Sequence, residues 1–174
     1  WCIGPPLCGS FGKLLETQEA GLLDRALALY RERFTTTGMY ENEVYAGVPE
    51  ALMRIQGAGV RMVLATSKPR VYATEIARHF ALDGFFHAIH GSELDGTRTV
   101  KSELIAHILR VEGLRAEEAL MVGDREHDIL GARACGVRAG AVTYGYGSTE
   151  EIAHARPDYV FATPGEMAAF VLDG

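Results

Sequence analysis

The chain has 174 residues, 48% hydrophobic and 23% charged, so it is long enough to bury one hydrophobic core. Its formal net charge of −6 at pH 7 gives no general attraction to nucleic acids or anionic membranes, and we expect neither as a partner. No apolar run approaches the roughly 20 residues that a membrane-spanning helix needs. Composition therefore predicts a globular domain of ordinary size and leaves its oligomeric state open.

The cysteines, Cys2, Cys8 and Cys135, are odd in number and contain no CxxC pair. Both features argue against a disulfide framework or a zinc site. Residues 1–11 also lack the charged region and the long apolar stretch of a secretion signal. We therefore expect a reducing, cytoplasmic environment.

The first 46 residues differ from the rest because they show a helical pattern and no strand pattern. Leu23, Leu27, Tyr30 and Phe34 follow one another at spacings of four, three and four, which places them on one apolar face of a helix. We predict a separate helical segment over residues 1–46 and a second domain over residues 47–174.

From residue 47 onward the chain alternates between helical and strand patterns. The predicted helices cover residues 48–59, 69–80, 100–112, 126–136, 148–155 and 164–172, and the predicted strands cover residues 61–66, 85–91, 118–124, 138–145 and 158–163. Strands that alternate with helices indicate βαβ units, and so an α/β fold with a Rossmann-like, doubly wound parallel sheet. Ligands of such sheets bind just outside the carboxyl ends of the strands.

The segment Thr66-Ser67-Lys68-Pro69 follows the first of these strands. A hydroxyl and backbone N–H groups at this place can bind a phosphate oxygen, helped by the positive end of the next helix. The alternative is an ordinary helix N-cap, with Ser67 or Lys68 leading into Pro69 in the first turn.

Lys101 lies where the helix after the second strand begins. A lysine opposes the helix dipole at this end, so its position is unfavourable unless an anion lies nearby. A bound phosphate would be such an anion. The alternative is a solvated lysine on the surface.

The segment VGDREHDILGA, residues 122–132, places Asp124 at a strand end and Asp128 one turn into the next helix. Two such carboxylates suit Mg²⁺, with Asp124 as a direct ligand and Asp128 acting through a coordinated water. The alternative is that they cap the helix and complement its dipole. With the hydroxyl and the lysine, the pair predicts a site for phosphoryl chemistry.

These segments resemble the haloacid dehalogenase (HAD) superfamily, in its phosphoglycolate phosphatase-like branch with a helical cap. VLATSKP is similar to the second motif, with Thr66 as the phosphate-binding hydroxyl, and Lys101 matches the lysine of the third. VGDREHDILGA is similar to the fourth, with Asp124 and Asp128 as metal-site acids. The resemblance implies a HAD fold, a partial cap over residues 1–46, and Mg²⁺-dependent hydrolysis of a small phosphate monoester.

In this family an aspartate attacks phosphorus to form an aspartyl-phosphate, and a second aspartate two residues on acts as acid and base. Phosphoglycolate and a nucleotide monophosphate are the candidate substrates, and Pro5, Pro6 and Phe11 are candidates for choosing between them. A non-catalytic module that binds phosphate or Mg²⁺ stays open, as do dehalogenation and phosphomutase transfer, because fold alone does not fix function.

The first motif of the family, DxDGT on the first strand, has no match, because no two aspartates of the chain are separated by two positions. The nearest similarity, ELDGT at residues 93–97, is an ordinary Asp-Gly turn signal. The family's first strand lies mid-sheet, between the strands predicted at residues 61–66 and 118–124. We therefore expect a truncated chain that lacks the nucleophile and is inactive by itself. The alternative is that another segment fills the place of this strand, or that the sheet is rearranged.

Overall fold

The computed structural model describes residues 7–173. The chain divides into two compact units, Trp1–Glu43 and Val44–Gly174. The domain boundary expected after residue 46 stays a prediction. None of the helices between residues 7 and 173 combines the length and apolar character that crossing a membrane requires.

The first unit is helical over the residues described. It contains α1 (Leu7–Leu14), α2 (Ala20–Thr36) and a 3-10 turn (Gly38–Tyr40). The apolar face predicted for α2 is confirmed, since Leu23 is buried and the Tyr30 ring stacks on Phe34 with centroids 5.4 Å apart. Phe11 of α1 meets Tyr30 edge to face, whereas Pro5 and Pro6 lie outside the described residues.

The second unit confirms the predicted order of helices and strands. Its helices are α3 (Val48–Gly57), α4 (Arg70–His79), α5 (Lys101–Glu112), α6 (Glu126–Ala134), α7 (Thr149–Ala155) and α8 (Pro164–Asp173). Its strands are β1 (Val63–Pro69), β2 (Ala88–Ser92), β3 (Leu120–Gly123), β4 (Arg138–Val142) and β5 (Tyr159–Phe161).

All strand pairs are parallel, as the alternating pattern predicts, but they form two sheets. β1 pairs with β2, and β3, β4 and β5 form a second sheet in that order. Within residues 7–173, the second edge of β1 and the second edge of β3 carry no partner strand. The α/β class is therefore confirmed, and these two open edges are where the sheets end.

The main core lies between the three-stranded sheet and the helices α5, α6 and α7. Ile129 of α6 is completely buried, a contribution of about 2 kcal/mol to folding for a side chain of this size. It packs with a set of small and branched residues: Ile105, Ala132, Val137, Ala139, Ala141, Ile152 and Ala155. This packing holds the carboxyl end of β3 against the first turns of α5 and α6.

β1 runs further than its sequence pattern predicts, and this moves the start of α4. The strand continues through Pro69, with an irregular register between Ala65 and Pro69. The residue before a proline favours an extended backbone, so Lys68 stays in the strand and Pro69 becomes the N-cap. Ser67 and Lys68 do not cap α4, and the N-cap alternative is wrong.

Candidate functional site

Lys101 connects β1 of the two-stranded sheet with α6, which packs on the three-stranded sheet. It is the first residue of α5, and only 9% of its surface is exposed. Its Nζ donates to the carbonyl of Ala65 in β1 at 3.2 Å and pairs with Asp128 Oδ1 in α6 at 2.8 Å. The alternative of a solvated surface lysine is therefore wrong.

Gly131 makes room for the lysine. A Cβ at this position would lie 2.7 Å from Lys101 Cγ and 3.1 Å from the backbone nitrogen of Ser102. A glycine inside a helix costs roughly 1 kcal/mol relative to alanine, so close packing of α5 on α6 explains its presence. The glycine in the middle of the predicted helix was the available sequence signal for this contact.

The anion that Lys101 needs at the start of α5 comes from the chain itself. Asp128 is 8% exposed, and its Oδ2 accepts from the backbone N–H of Arg125 at 3.2 Å. A Cβ at Gly123 would lie 2.3 Å from that same oxygen, so only glycine lets the carboxylate rest on the strand end. Asp128 thus satisfies the backbone N–H of Arg125 at the start of α6 and also neutralises Lys101.

Asp124 is held by the loop that follows β4. Its Oδ2 accepts from the backbone N–H of Tyr146 at 2.7 Å. A Cβ at Gly145 would lie 2.3 Å from Asp124 Cβ, and one at Gly147 would lie 2.1 Å from the Asp124 carbonyl oxygen. The loop therefore fixes the direction of this carboxylate, a role for the two glycines that the sequence analysis missed.

Lys68, near the end of β1, lies close enough to Asp124 and Lys101 to interact with both charges. The pKa of the Lys68 ammonium is lowered by desolvation and by nearby Lys101, although nearby Asp124 acts to raise it. The Lys68 backbone N–H donates to Thr66 Oγ1 at 3.2 Å, and the Ser92 hydroxyl of β2 donates to the Ser67 carbonyl at 2.9 Å. Thr66 can still donate its own hydroxyl proton to a ligand.

Glu151 of α7 holds the segment that follows Asp124, although it lies 25 residues after Glu126 in the sequence. It accepts from Arg125 Nε at 2.7 Å and from the Glu126 backbone N–H at 2.9 Å. Burial acts to raise the pKa of Glu151, but these hydrogen bonds and nearby positive charge leave it below its usual value. The carboxylate therefore pins the backbone that follows Asp124, and no local pattern marks it in the sequence.

Asp124 and Asp128 offer hard oxygen atoms at the carboxyl end of β3. In the part of the chain that the structure describes, no three His, Cys, Asp or Glu residues gather closely enough to hold a metal. Mg²⁺ is usually held by one or two carboxylates together with waters and substrate phosphate oxygens. The acidic pair fits that ion, and it does not form a cage made of protein ligands alone.

An open cavity of about 320 Å³ lies beside the ends of β1 and β2, lined by Pro69, Arg70, Val71, Ser92, Glu93, Leu94 and Asp95. The ELDGT segment forms part of this wall. Glu93 pairs with Arg98, the Thr97 backbone N–H donates to Asp95 at 2.9 Å, and Gly96 has φ +91°. The segment is a turn, as the Asp-Gly signal predicts.

The structure thus brings Thr66, Lys68, Lys101, Asp124 and Asp128 to one end of two parallel sheets. Cations, a hydroxyl and carboxylates at the carboxyl ends of parallel strands are the groups that a phosphate-binding α/β domain would use.

The model of the family described as haloacid dehalogenase-like hydrolase matches residues 1–142. A 5'-nucleotidase of Pseudomonas aeruginosa is 52% identical over 92% of this chain and 72% of its own length. Phosphoglycolate phosphatase 1 of the same organism is 33% identical over 79% of this chain and half of its own length. The crystal structure of a predicted phosphatase from Clostridium acetobutylicum matches with a TM-score of 0.93 and 35% identity, covering 99% of this chain and 80% of that one.

The chain therefore belongs to the haloacid dehalogenase-like hydrolase family, as its motifs predict. Its relatives include phosphatases, and it spans between half and about three quarters of the two curated relatives described above.

Proposed function

We propose that this chain is part of a Mg²⁺-dependent phosphatase that hydrolyses a small phosphate monoester through an aspartyl-phosphate. Thr66, Ser67 and Lys68 would bind the phosphate, and Lys101 would offset its charge. Asp124 and Asp128 would hold Mg²⁺. When bound, this ion would act as a Lewis acid on the phosphate oxygens. The observation that carries the proposal is Lys101, a nearly buried cation that contacts both β1 and Asp128.

The residues of the site are positioned before any ligand binds. Lys101 is held by a carbonyl and a carboxylate, and Asp124 by a backbone N–H, so none of them needs to reorganise much. Fixed charges of this kind stabilise charge that develops during phosphoryl transfer. Thr66 would donate its hydroxyl to one phosphate oxygen, while Lys68 and Lys101 would face the others.

The nucleophile is the part that these 174 residues do not supply, since they contain no DxD pair. We place the nucleophile-bearing strand between the open edges of β1 and β3, next to Lys101. Residues 1–174 alone would then be inactive. Phosphoglycolate-like compounds and nucleotide monophosphates are the proposed substrates, supported by the similarity to a 5'-nucleotidase and to a phosphoglycolate phosphatase. The odd cysteine count supports the cytoplasm as location.

The test is to add an N-terminal segment that carries DxDGT on a short apolar strand and to measure phosphate release with and without Mg²⁺. We expect Mg²⁺-dependent turnover in the extended protein and none in the 174-residue chain. Asp124→Asn in the extended protein should abolish turnover while leaving the fold intact by circular dichroism. Undiminished activity in that variant would overturn the metal assignment, and phosphate binding without any turnover would favour a non-catalytic module.

A further inference from the structure

Three tyrosines gather beside Asp124, and the proposed phosphate chemistry uses none of their rings. The rings of Tyr45 and Tyr144 meet edge to face, with centroids 5.5 Å apart at an angle of 69°. Tyr45 precedes α3, and Tyr144 lies in the loop after β4, which also carries Tyr146. We call these three residues the tyrosine shelf.

The shelf is tied to the candidate site through the same loop. The Tyr146 backbone N–H holds the Asp124 carboxylate at 2.7 Å, and Gly145 lies between Tyr144 and Tyr146 with no room for a side chain. Burial raises the pKa of the Tyr144 phenol, and so do Asp124 and Tyr45. The pKa of the Tyr45 phenol is raised by burial, by Tyr146 and by Asp124, so Tyr45 lies near both of these residues.

Much of the shelf is open to solvent. Tyr45 is 45% exposed and Tyr146 is 60% exposed. Single exposed aromatic residues are common on protein surfaces. Tyrosines grouped beside the proposed phosphate site are less common. The organic group of a phosphate ester bound by Lys68 and Lys101 would have to lie near that site, and so near these rings.

We propose that the tyrosine shelf stacks on a flat aromatic base carried by the leaving group, so that the preferred substrates are nucleoside monophosphates. The inference rests on the proposed function, since it assumes that phosphate binds at Lys68 and Lys101. Aromatic side chains bind bases through their π-faces, and removing one such side chain weakens binding by about tenfold or more. An aliphatic acid phosphate offers the shelf no ring to stack on.

The test compares adenosine 5'-monophosphate with ribose 5-phosphate, which keeps the phosphate and the sugar but lacks the base. Calorimetric titration of the 174-residue chain in Mg²⁺ buffer measures both affinities. We expect the nucleotide to bind about tenfold more tightly. In Tyr45→Ala and Tyr146→Ala the ratio of the two affinities should fall severalfold, because only the nucleotide carries a base that can stack on the removed ring.

Tyr45→Phe and Tyr146→Phe are the matched controls, because they keep the ring and remove only the hydroxyl. Both should retain the preference for the nucleotide. The stacking proposal would be wrong if the wild-type chain bound both probes equally, or if both alanine variants kept the preference for the nucleotide. Neither result would contradict the phosphate site. Failure of both probes to bind would overturn the phosphate site and the shelf together.

Discussion

The two ends of α5 carry opposite charges, and each is of the sign that the helix dipole disfavours at that end. Lys101 begins the helix and Glu112 ends it, about 17 Å apart at 1.5 Å per residue. Both side chains are largely buried, with 9% and 12% of their surface exposed. Each charge therefore has to be compensated by other elements.

The compensation differs between the two ends. Lys101 meets one carboxylate and one carbonyl, from α6 and β1. Glu112 meets Arg61 before β1, His90 of β2 at 2.7 Å and His87 at 3.8 Å. The first cluster lies at the carboxyl ends of the strands, where ligands bind, and the second lies at the far end of the helix. The two dipole-opposing charges therefore differ in position: Lys101 belongs to the candidate site at the strand ends, and Glu112 belongs to a cluster away from it.

The largest effect is expected from Lys101→Met. It would leave the buried Asp128 carboxylate without its cation, and breaking a buried pair this way costs about 3–5 kcal/mol. Urea unfolding measures the loss, and calorimetry should show that inorganic phosphate binding is lost as well. The double variant Lys101→Met/Asp128→Asn should recover part of the stability and none of the binding. A single variant as stable as the wild type would show that the pair is not buried as described.

Gly131→Ala tests how tightly the Lys101 end is packed. Alanine favours a helix over glycine, yet its Cβ would lie 2.7 Å from Lys101 Cγ, and overpacking of this kind costs roughly 1–3 kcal/mol. Gly57→Ala in α3 is the matched control, because a Cβ there meets nothing within 4 Å. We expect thermal unfolding to show a loss of stability for the first variant and none for the second. A stabilised Gly131→Ala protein would contradict the packing of α5 on α6.

Glu112→Gln should lower the free energy of unfolding by about 1–2 kcal/mol, since the amide keeps one acceptor oxygen but loses the negative charge that faces Arg61 and His90. It should leave phosphate binding unchanged, which would separate the two ends of α5 cleanly. Parallel urea unfolding and phosphate titration measure both properties. Loss of phosphate binding in this variant would contradict the view that only the Lys101 end of α5 takes part in binding.

The smallest expected effect is on the pH dependence of stability. The hydrogen bond with His90 lowers the pKa of Glu112 despite burial, and the positive charges of Arg61, His90 and His87 add to this. A lowered folded-state pKa contributes stability above the unfolded value of about 4.3, and this contribution is lost as pH falls through the folded-state pKa. The free energy of unfolding, measured from pH 7 to pH 3, should therefore fall less steeply in Glu112→Gln than in the wild type. Identical slopes would contradict the assignment.

The order of the elements, the parallel pairing and the convergence of Lys101 and Asp128 could be predicted from local patterns in the sequence. Pro69 could have corrected the start of α4, because its effect on Lys68 is a local backbone rule. Glu151 and Tyr45 could not be found in this way. Their contacts with the segment near Asp124 join parts of the chain that only packing brings together.

The hydrogen bond from the Tyr146 backbone to Asp124 also makes the candidate site observable without any assay of turnover. Tyr146 is 60% exposed, so its amide hydrogen would exchange quickly with solvent if it had no acceptor. Held by the carboxylate, it should exchange slowly, and a ligand that draws the Asp124 oxygen away should speed it up. One amide resonance in a nuclear magnetic resonance spectrum would then report when a metal ion or a phosphate ester enters.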